Sequence, residues 1–169
     1  WLQAQSAVCQ AEALDAETPL YILYTSGTTG KPKGVVHVHG GYMVGTYITT
    51  KYVFDLKEED VYFCVADPGW VTGHSYIVYG PLLNGATTIV YEGLPIRPDP
   101  AIWWKIVSEN KVNVMFTSPT AIRVLKKQPP EYLKQHDVSC LRSLYLAGEP
   151  LDEPTARWIA EALGANIID

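Results

Sequence analysis

Short apolar runs alternate along the chain with segments of helical pattern. Residues 20–24, 35–38, 61–66, 87–91, 112–116, 143–146 and 166–168 are brief and rich in Val, Ile and Tyr. They predict β-strands, and several are apolar throughout, as in strands covered on both faces. Helices are predicted over 42–54, 73–83, 100–110, 120–127 and 152–163. Gly40-Gly41 precede the first, and Asn84-Gly85 stop the second. Asp99 is placed to cap the third, with Pro100 at its first helical position. Pro129-Pro130 end the fourth. Asp152 caps the fifth, Pro154 lies in its first turn, and Gly164 stops it. This repeated alternation predicts an α/β fold with a largely parallel sheet flanked by helices. Ligands on such sheets sit at the carboxyl ends of strands, which directs attention to the segments after Tyr24, Ala66, Phe116 and Leu146. The proline-bearing stretch 93–100 reads as a stiff surface connection.

Composition narrows the class. At 169 residues the chain is long enough for one domain with a real core. Apolar residues make up 47% and charged residues 18%, a balance typical of a globular domain. There is no run of eighteen apolar residues to suggest a membrane span, and the start carries no secretory pattern. A net charge of −5 offers no basic excess for a nucleic-acid backbone. Cys9, Cys64 and Cys140 are widely spaced with no CxxC, so neither a zinc site nor a disulfide framework is indicated, and a reducing, cytoplasmic setting is expected (the mitochondrial matrix in a eukaryote). The chain opens without Met and closes on Asp169 as an apolar run ends, so a piece of a longer protein is expected.

The densest chemistry lies in Tyr24-Thr25-Ser26-Gly27-Thr28-Thr29-Gly30-Lys31-Pro32-Lys33-Gly34, directly after a predicted strand. Within ten residues it carries four hydroxyls, three glycines and two lysines. Glycines let backbone approach an anion, hydroxyls and N–H groups donate to phosphate oxygens, and lysine adds a point charge. A Walker A loop is excluded: counting from Gly27, Pro32 stands where its second glycine belongs. No GxGxxG occurs, so a dinucleotide fold has no support.

The full loop string resembles the signature of the adenylate-forming superfamily of acyl-CoA synthetases, peptide-synthetase adenylation domains and luciferases. Further segments resemble its short-chain branch, the acetyl- and propionyl-CoA synthetases: Lys51-Tyr52-Val53-Phe54-Asp55, Gly69-Trp70-Val71-Thr72-Gly73-His74-Ser75-Tyr76, Ser118-Pro119-Thr120-Ala121-Ile122-Arg123 and Ala147-Gly148-Glu149-Pro150. They appear in the family's order, and the likeness covers nearly everything from Leu20 onward. It implies that residues 20–169 are part of the large N-terminal adenylation domain, that 1–19 are a lead-in, and that a C-terminal domain belongs to the same full-length chain. It also implies that Thr25, Ser26, Gly27, Thr28, Thr29 and Gly30 hold the ATP β- and γ-phosphates, with Lys33 matching the family's lysine. Gly148, Glu149 and Pro150 would lie along the adenine. Asp169 aligns with an acidic residue opening the next nucleotide motif. Trp70, Val71, Thr72 and Ala147 match positions lining the acyl pocket. Taken without the family, Trp70 reads as a core aromatic, and His74 as a packed or capping residue at a helix start.

The implied reaction uses ATP, Mg²⁺ and coenzyme A. A carboxylate attacks the α-phosphorus and expels pyrophosphate; the CoA thiol then attacks the acyl-adenylate and expels AMP. The attacking carboxylate, with an ordinary pKa of about 4, is already ionised, so no activated protein nucleophile is needed. Catalysis is positioning and charge stabilisation. The chain shows no evident metal carboxylate; the family supplies one from a Gln-Thr-Glu run absent here. Acetate-specific relatives typically carry Val where Ala147 stands. One methylene in an apolar pocket discriminates by roughly 1–3 kcal/mol, so propionate is the expected acid, with acetate, 3-hydroxypropionate and acrylate as alternatives. Ile96 stands where acetyl-type members often have an Asn near the CoA site. The 169 residues by themselves are expected to be inactive.

Overall fold

A computed structural model describes residues 4–25 and 30–169. The chain divides into two compact units, Trp1–Gly45 and Thr46–Asp169.

In the first unit, β1 (Pro19–Thr25) and β2 (Lys33–Val38) pair antiparallel as a two-stranded sheet, with Tyr24 opposite Gly34 and Thr25 opposite Lys33. The Tyr21 ring stacks on His37 at 4.7 Å, and the edge of Tyr42 closes on both. Helix α1 (His39–Ile48) begins three residues earlier than predicted and takes in both Gly40 and Gly41. The early start follows from partners for its first N–H groups. His39 N donates to Thr18 O at 3.0 Å, and Gly40 N donates to Ala16 O at 2.8 Å. A wider turn, Thr49–Val53, continues from it.

The second unit is built on a parallel sheet of five strands in the order β4-β3-β5-β6-β7: β3 (Val61–Cys64), β4 (Thr87–Ile89), β5 (Val114–Thr117), β6 (Ser143–Leu146) and β7 (Asn166–Ile168). The largely parallel α/β expectation holds here, whereas the first two predicted strands form the separate hairpin. β5 and β6 are buried at every position, Thr117 and Ser143 included, as in strands covered on both faces. Alternation along the strands feeds two cores. Phe63, Met115, Leu144 and Leu146 pack on one face with Trp103, Trp104 and Val107 of α4 (Ile102–Asn110), Ile122 and Leu125 of α5 (Pro119–Lys126), and Ile159 and Leu163 of α7 (Glu153–Leu163). Tyr62, Cys64, Val114, Phe116 and Tyr145 pack on the other with Phe54, Leu56 and Ile77. Helices therefore cover both faces.

The crossover from β3 to β4 is helical over 71–83, as α2 (Val71–Gly73), a wide-turned stretch His74–Tyr79 and α3 (Gly80–Leu83). It stops where expected: Gly85 takes φ +69°. The predicted caps of α7 are present too. Asp152 Oδ1 accepts from Thr155 N at 3.0 Å, and Gly164 ends the helix at φ +62°. α4 begins at Ile102 rather than Pro100. Asp99 Oδ1 accepts from Ala101 N at 2.7 Å and Asp99 O from Ile102 N at 3.2 Å, so these residues form a tight turn ahead of the helix. A short helix, α6 (Glu131–Lys134), follows Pro129-Pro130 and was not anticipated.

Candidate functional site

The order of the sheet creates a crevice. After β3 the chain runs outward to β4, then returns across β3 to place β5 on its other side. The carboxyl ends of β3 and β5 thus diverge into connections on opposite faces, the point where open α/β sheets bind ligands. A cleft of about 520 Å³ lies there. Its walls come from the ends of three strands: Val65, Ala66 and Asp67 after β3; Phe116, Thr117 and Ser118 at β5; and Ala147, Gly148 and Glu149 after β6, with Trp70 and Thr72 alongside.

Each wall is fixed by its backbone. Val65 N donates to Phe116 O at 3.0 Å, and Ala147 N donates to Thr117 O at 3.3 Å, so the parallel ladder extends into the cleft. Phe116 is held behind by Phe54 and Tyr76, with ring centroids at 5.2 and 5.7 Å. The turn 67–70 closes through Asp67 Oδ1, which accepts from Gly69 N at 2.7 Å, and Asp67 O, which accepts from Trp70 N at 3.0 Å. Gly73 permits the next helix to sit against this turn. A Cβ there would lie 2.6 Å from Pro68 Cα and closer still to Asp67 O. Within this chain Trp70 is 71% exposed at the cleft rim and takes no part in either core.

Gly148 takes φ +100°, a conformation that glycine adopts without a Cβ penalty, and it turns the chain from β6 toward α7. Beyond it, both Glu149 oxygens are engaged. Oε1 accepts from Thr120 N at 2.7 Å, and Oε2 accepts from Arg123 Nη1 at 3.2 Å. These bonds, with Thr120 first and Arg123 adding to it, hold the Glu149 carboxyl below its ordinary range. Asp152 is held well below its own, chiefly by Arg123 Nε at 2.8 Å and by the Thr155 cap bond. Asp169 Oδ2 accepts from Leu151 N at 3.0 Å, tying the end of β7 to the same segment.

Of the residues singled out in the sequence, Trp70, Thr72, Ala147, Gly148 and Glu149 meet at this one cleft. Val71, Pro150 and Asp169 lie next to it in sequence or by hydrogen bond without lining it. His74 lies within the helical crossover, its N donating to Trp70 O at 3.2 Å. Thr25 and Lys33 are exposed and face each other at the ends of the β1–β2 stem. Thr25 and Lys33 thus end a pair of antiparallel strands, not a parallel one. Gly30 follows with φ +148°, while Ser26, Gly27, Thr28 and Thr29 lie outside the described residues. Ile96 packs against the core shared with α4. Sequence reasoning passed over Asp67 and Arg123. The Asp67-Pro68-Gly69 turn triplet was the available sign of the first.

Among the described residues no group of three or more His, Cys, Asp or Glu is gathered as a metal site. Asp67, Glu149, Asp152 and Asp169 are each already committed to hydrogen bonds of the fold. Cys64 is buried, which pushes its thiol up to about 11, and Cys9 and Cys140 are also unpaired. No helix among the described residues is long and apolar enough to cross a membrane.

The chain belongs to the AMP-binding enzyme family, whose model matches residues 2–169. It is 56% identical over 92% of its length to an acetyl-coenzyme A synthetase of Gemmatimonas aurantiaca, covering 24% of that protein. It is 55% identical over its whole length to a propionate–CoA ligase of Salmonella typhimurium, covering 25% of it. An acetyl-coenzyme A synthetase 2 of Pseudomonas aeruginosa is 53% identical over 96% of the chain, which covers 25% of that protein. The chain thus spans about a quarter of the length of these relatives.

Proposed function

We propose that the protein to which this chain belongs is an AMP-forming short-chain acyl-CoA ligase that prefers propionate. The observation that carries this reading is the cleft at the switch point, where Trp70, Thr72 and Ala147 meet the Gly148-Glu149 turn. Relatives at more than half identity that are named acetyl-coenzyme A synthetase and propionate–CoA ligase support it.

In this reading the cleft receives the acyl chain against Trp70, Thr72 and Ala147, with Val71 behind them. The adenine lies along Gly148, Glu149 and Pro150. The Glu149 carboxylate is occupied by Thr120 and Arg123, so the backbone of this turn, and not the acidic side chain, faces the nucleotide. Asp169 steadies the turn through Leu151 N. Residues Thr25 to Gly30 and Lys33 stabilise charge on the departing pyrophosphate, the largest electrostatic demand of the first half-reaction. The acid brings its own ionised nucleophile, so these groups bind and orient without abstracting a proton. Magnesium enters with the nucleotide substrate; the described residues offer no free carboxylate set to hold it. Coenzyme A then takes the acyl group from the adenylate. Residues 20–169 make up part of the adenylation domain, with a C-terminal domain in the same full-length chain and a reducing compartment as its setting.

The test is product analysis of the full-length protein with ATP, CoA and each of acetate, propionate, 3-hydroxypropionate and acrylate. AMP and acyl-CoA formed in equal amounts, with the highest kcat/KM for propionate, are expected. ADP as product would overturn the reaction class, and a higher kcat/KM for another acid would overturn the propionate assignment.

A further inference from the structure

Arg123 sits on α5, outside the lining of the cleft, yet its guanidinium reaches into the segment that carries one cleft wall on to α7. Nη1 donates to Glu149 Oε2 at 3.2 Å, Nη2 donates to Pro150 O at 2.7 Å, and Nε donates to Asp152 Oδ2 at 2.8 Å. Three acceptors spread over four consecutive residues are thus gathered on one planar group. The partners are 26 to 29 residues away in sequence, so this is a tertiary clamp and not a helix-surface pair. Glu149 locks the other side, since its Oε1 accepts from Thr120 N in the first turn of α5. The segment's other bonds flank the turn: Ala147 N donates to Thr117 O on one side and Leu151 N donates to Asp169 Oδ2 on the other, while Gly148 contributes no side chain. Compare Arg157 on α7, which is exposed and, among the described residues, pairs with Glu153 one turn away.

We infer that Arg123 is the positioning residue for the nucleotide-facing turn 147–150, acting through Glu149, Pro150 and Asp152 without touching substrate. This rests on the reading of the cleft as the nucleotide and acyl site. The fork matters as much as the charge. Lysine is a point donor on a flexible stem and cannot span three acceptors in one plane. Removing the fork leaves α5, whose buried face is Ile122 and Leu125, packed as before. It frees the turn to shift relative to β5. Ground-state binding of nucleotide therefore suffers before the chemical step does.

The experiment compares steady-state kinetics of the full-length protein with its Arg123→Met, Arg123→Lys and Glu149→Gln variants, and with Arg157→Met as control. Arg123→Met is expected to raise KM for ATP about tenfold or more while kcat falls less. Arg123→Lys should recover part of the loss, and Arg157→Met should leave KM for ATP at the parent's value. Combining Arg123→Met with Glu149→Gln should cost less than the sum of the two, because both open one clamp. A folded Arg123→Met with KM for ATP within twofold of the parent overturns the inference. Should Arg123→Met not fold, Arg123→Lys decides: a KM equal to the parent's overturns the inference, and a raised one with the parent's melting temperature supports it. An unsubstituted parent that consumes no ATP with any of the four acids refutes the functional reading, and this inference falls with it. Carboxylate-dependent turnover in the parent with no effect at Arg123 refutes the inference alone.

Discussion

Replacing Ala147 by valine in the full-length protein should raise its kcat/KM for acetate relative to that for propionate. Ala147 follows β6, and its amide donates to Thr117 O at 3.3 Å while Tyr145 and Leu146 before it are buried. The wall cannot retreat, so two added methyl groups must project into the cleft beside Phe116 and Trp70. The cleft as a whole, about 520 Å³, is far larger than a propionyl group, so the change acts only at the corner where the acyl tail ends. Propionate exceeds acetate by one methylene, and one methylene in an apolar pocket is worth about 1–3 kcal/mol, roughly 10- to 200-fold. The ratio of kcat/KM for acetate over propionate should rise by that factor. Ala147 faces open space, so stability should change by no more than about 0.5 kcal/mol. The assay is acyl-CoA formation with each acid at limiting concentration, beside a melting curve. A folded variant with an unchanged ratio, or with both values lowered equally, refutes the placement of Ala147 at the acyl tail.

Other substitutions probe the remaining parts. Lys33→Ala in the full-length protein should lower kcat for acyl-adenylate formation by about 10²- to 10³-fold, as loss of a charge-stabilising donor does; single-turnover measurement of acyl-AMP checks it, and an unchanged rate removes Lys33 from the phosphate grip. Gly73→Ala should destabilise by about 1–3 kcal/mol by overpacking the 67–70 turn and should depress activity through Trp70, read by chemical denaturation and turnover together. For pH, Arg123 holds the folded Asp152 carboxyl below its unfolded value, so its stabilisation is complete above the unfolded pKa of about 4 and is lost as pH falls below it. The melting-temperature gap between the parent and Arg123→Met should therefore be full at pH 7 and shrink toward pH 3; a constant gap contradicts the ion pair. The 169 residues expressed alone should form no detectable acyl-AMP.

Local signals were the legible part of this fold. Asp152, Pro154 and Gly164 bracket α7 in sequence because caps and stops act within a turn. The strands at 143–146 and 166–168 match their apolar runs residue for residue. Pairing was not legible. Residues 20–24 look like any other short apolar run, and nothing local says that they pair antiparallel with 35–38 while the other five strands run parallel. The start of α1 was misjudged because its first N–H groups are satisfied by Ala16 and Thr18, partners that no helix signal encodes. The same division holds at the site. Trp70, Thr72 and Ala147 were found by motif, and the structure brings them to one cleft. Trp70 would have been assigned to the core on hydrophobicity alone. Arg123 looked like the tail of a motif, since its three partners are distant in sequence and meet it only after α5 and α7 have packed on the sheet.

The central claim, that a carboxylate is activated by transfer to AMP, is tested most directly by exchange of labelled pyrophosphate into ATP. The full-length protein with propionate and no coenzyme A should catalyse this exchange, because acyl-adenylate formation is reversible and precedes the thiol. Exchange that is absent, or that proceeds equally without any carboxylate, would contradict the account.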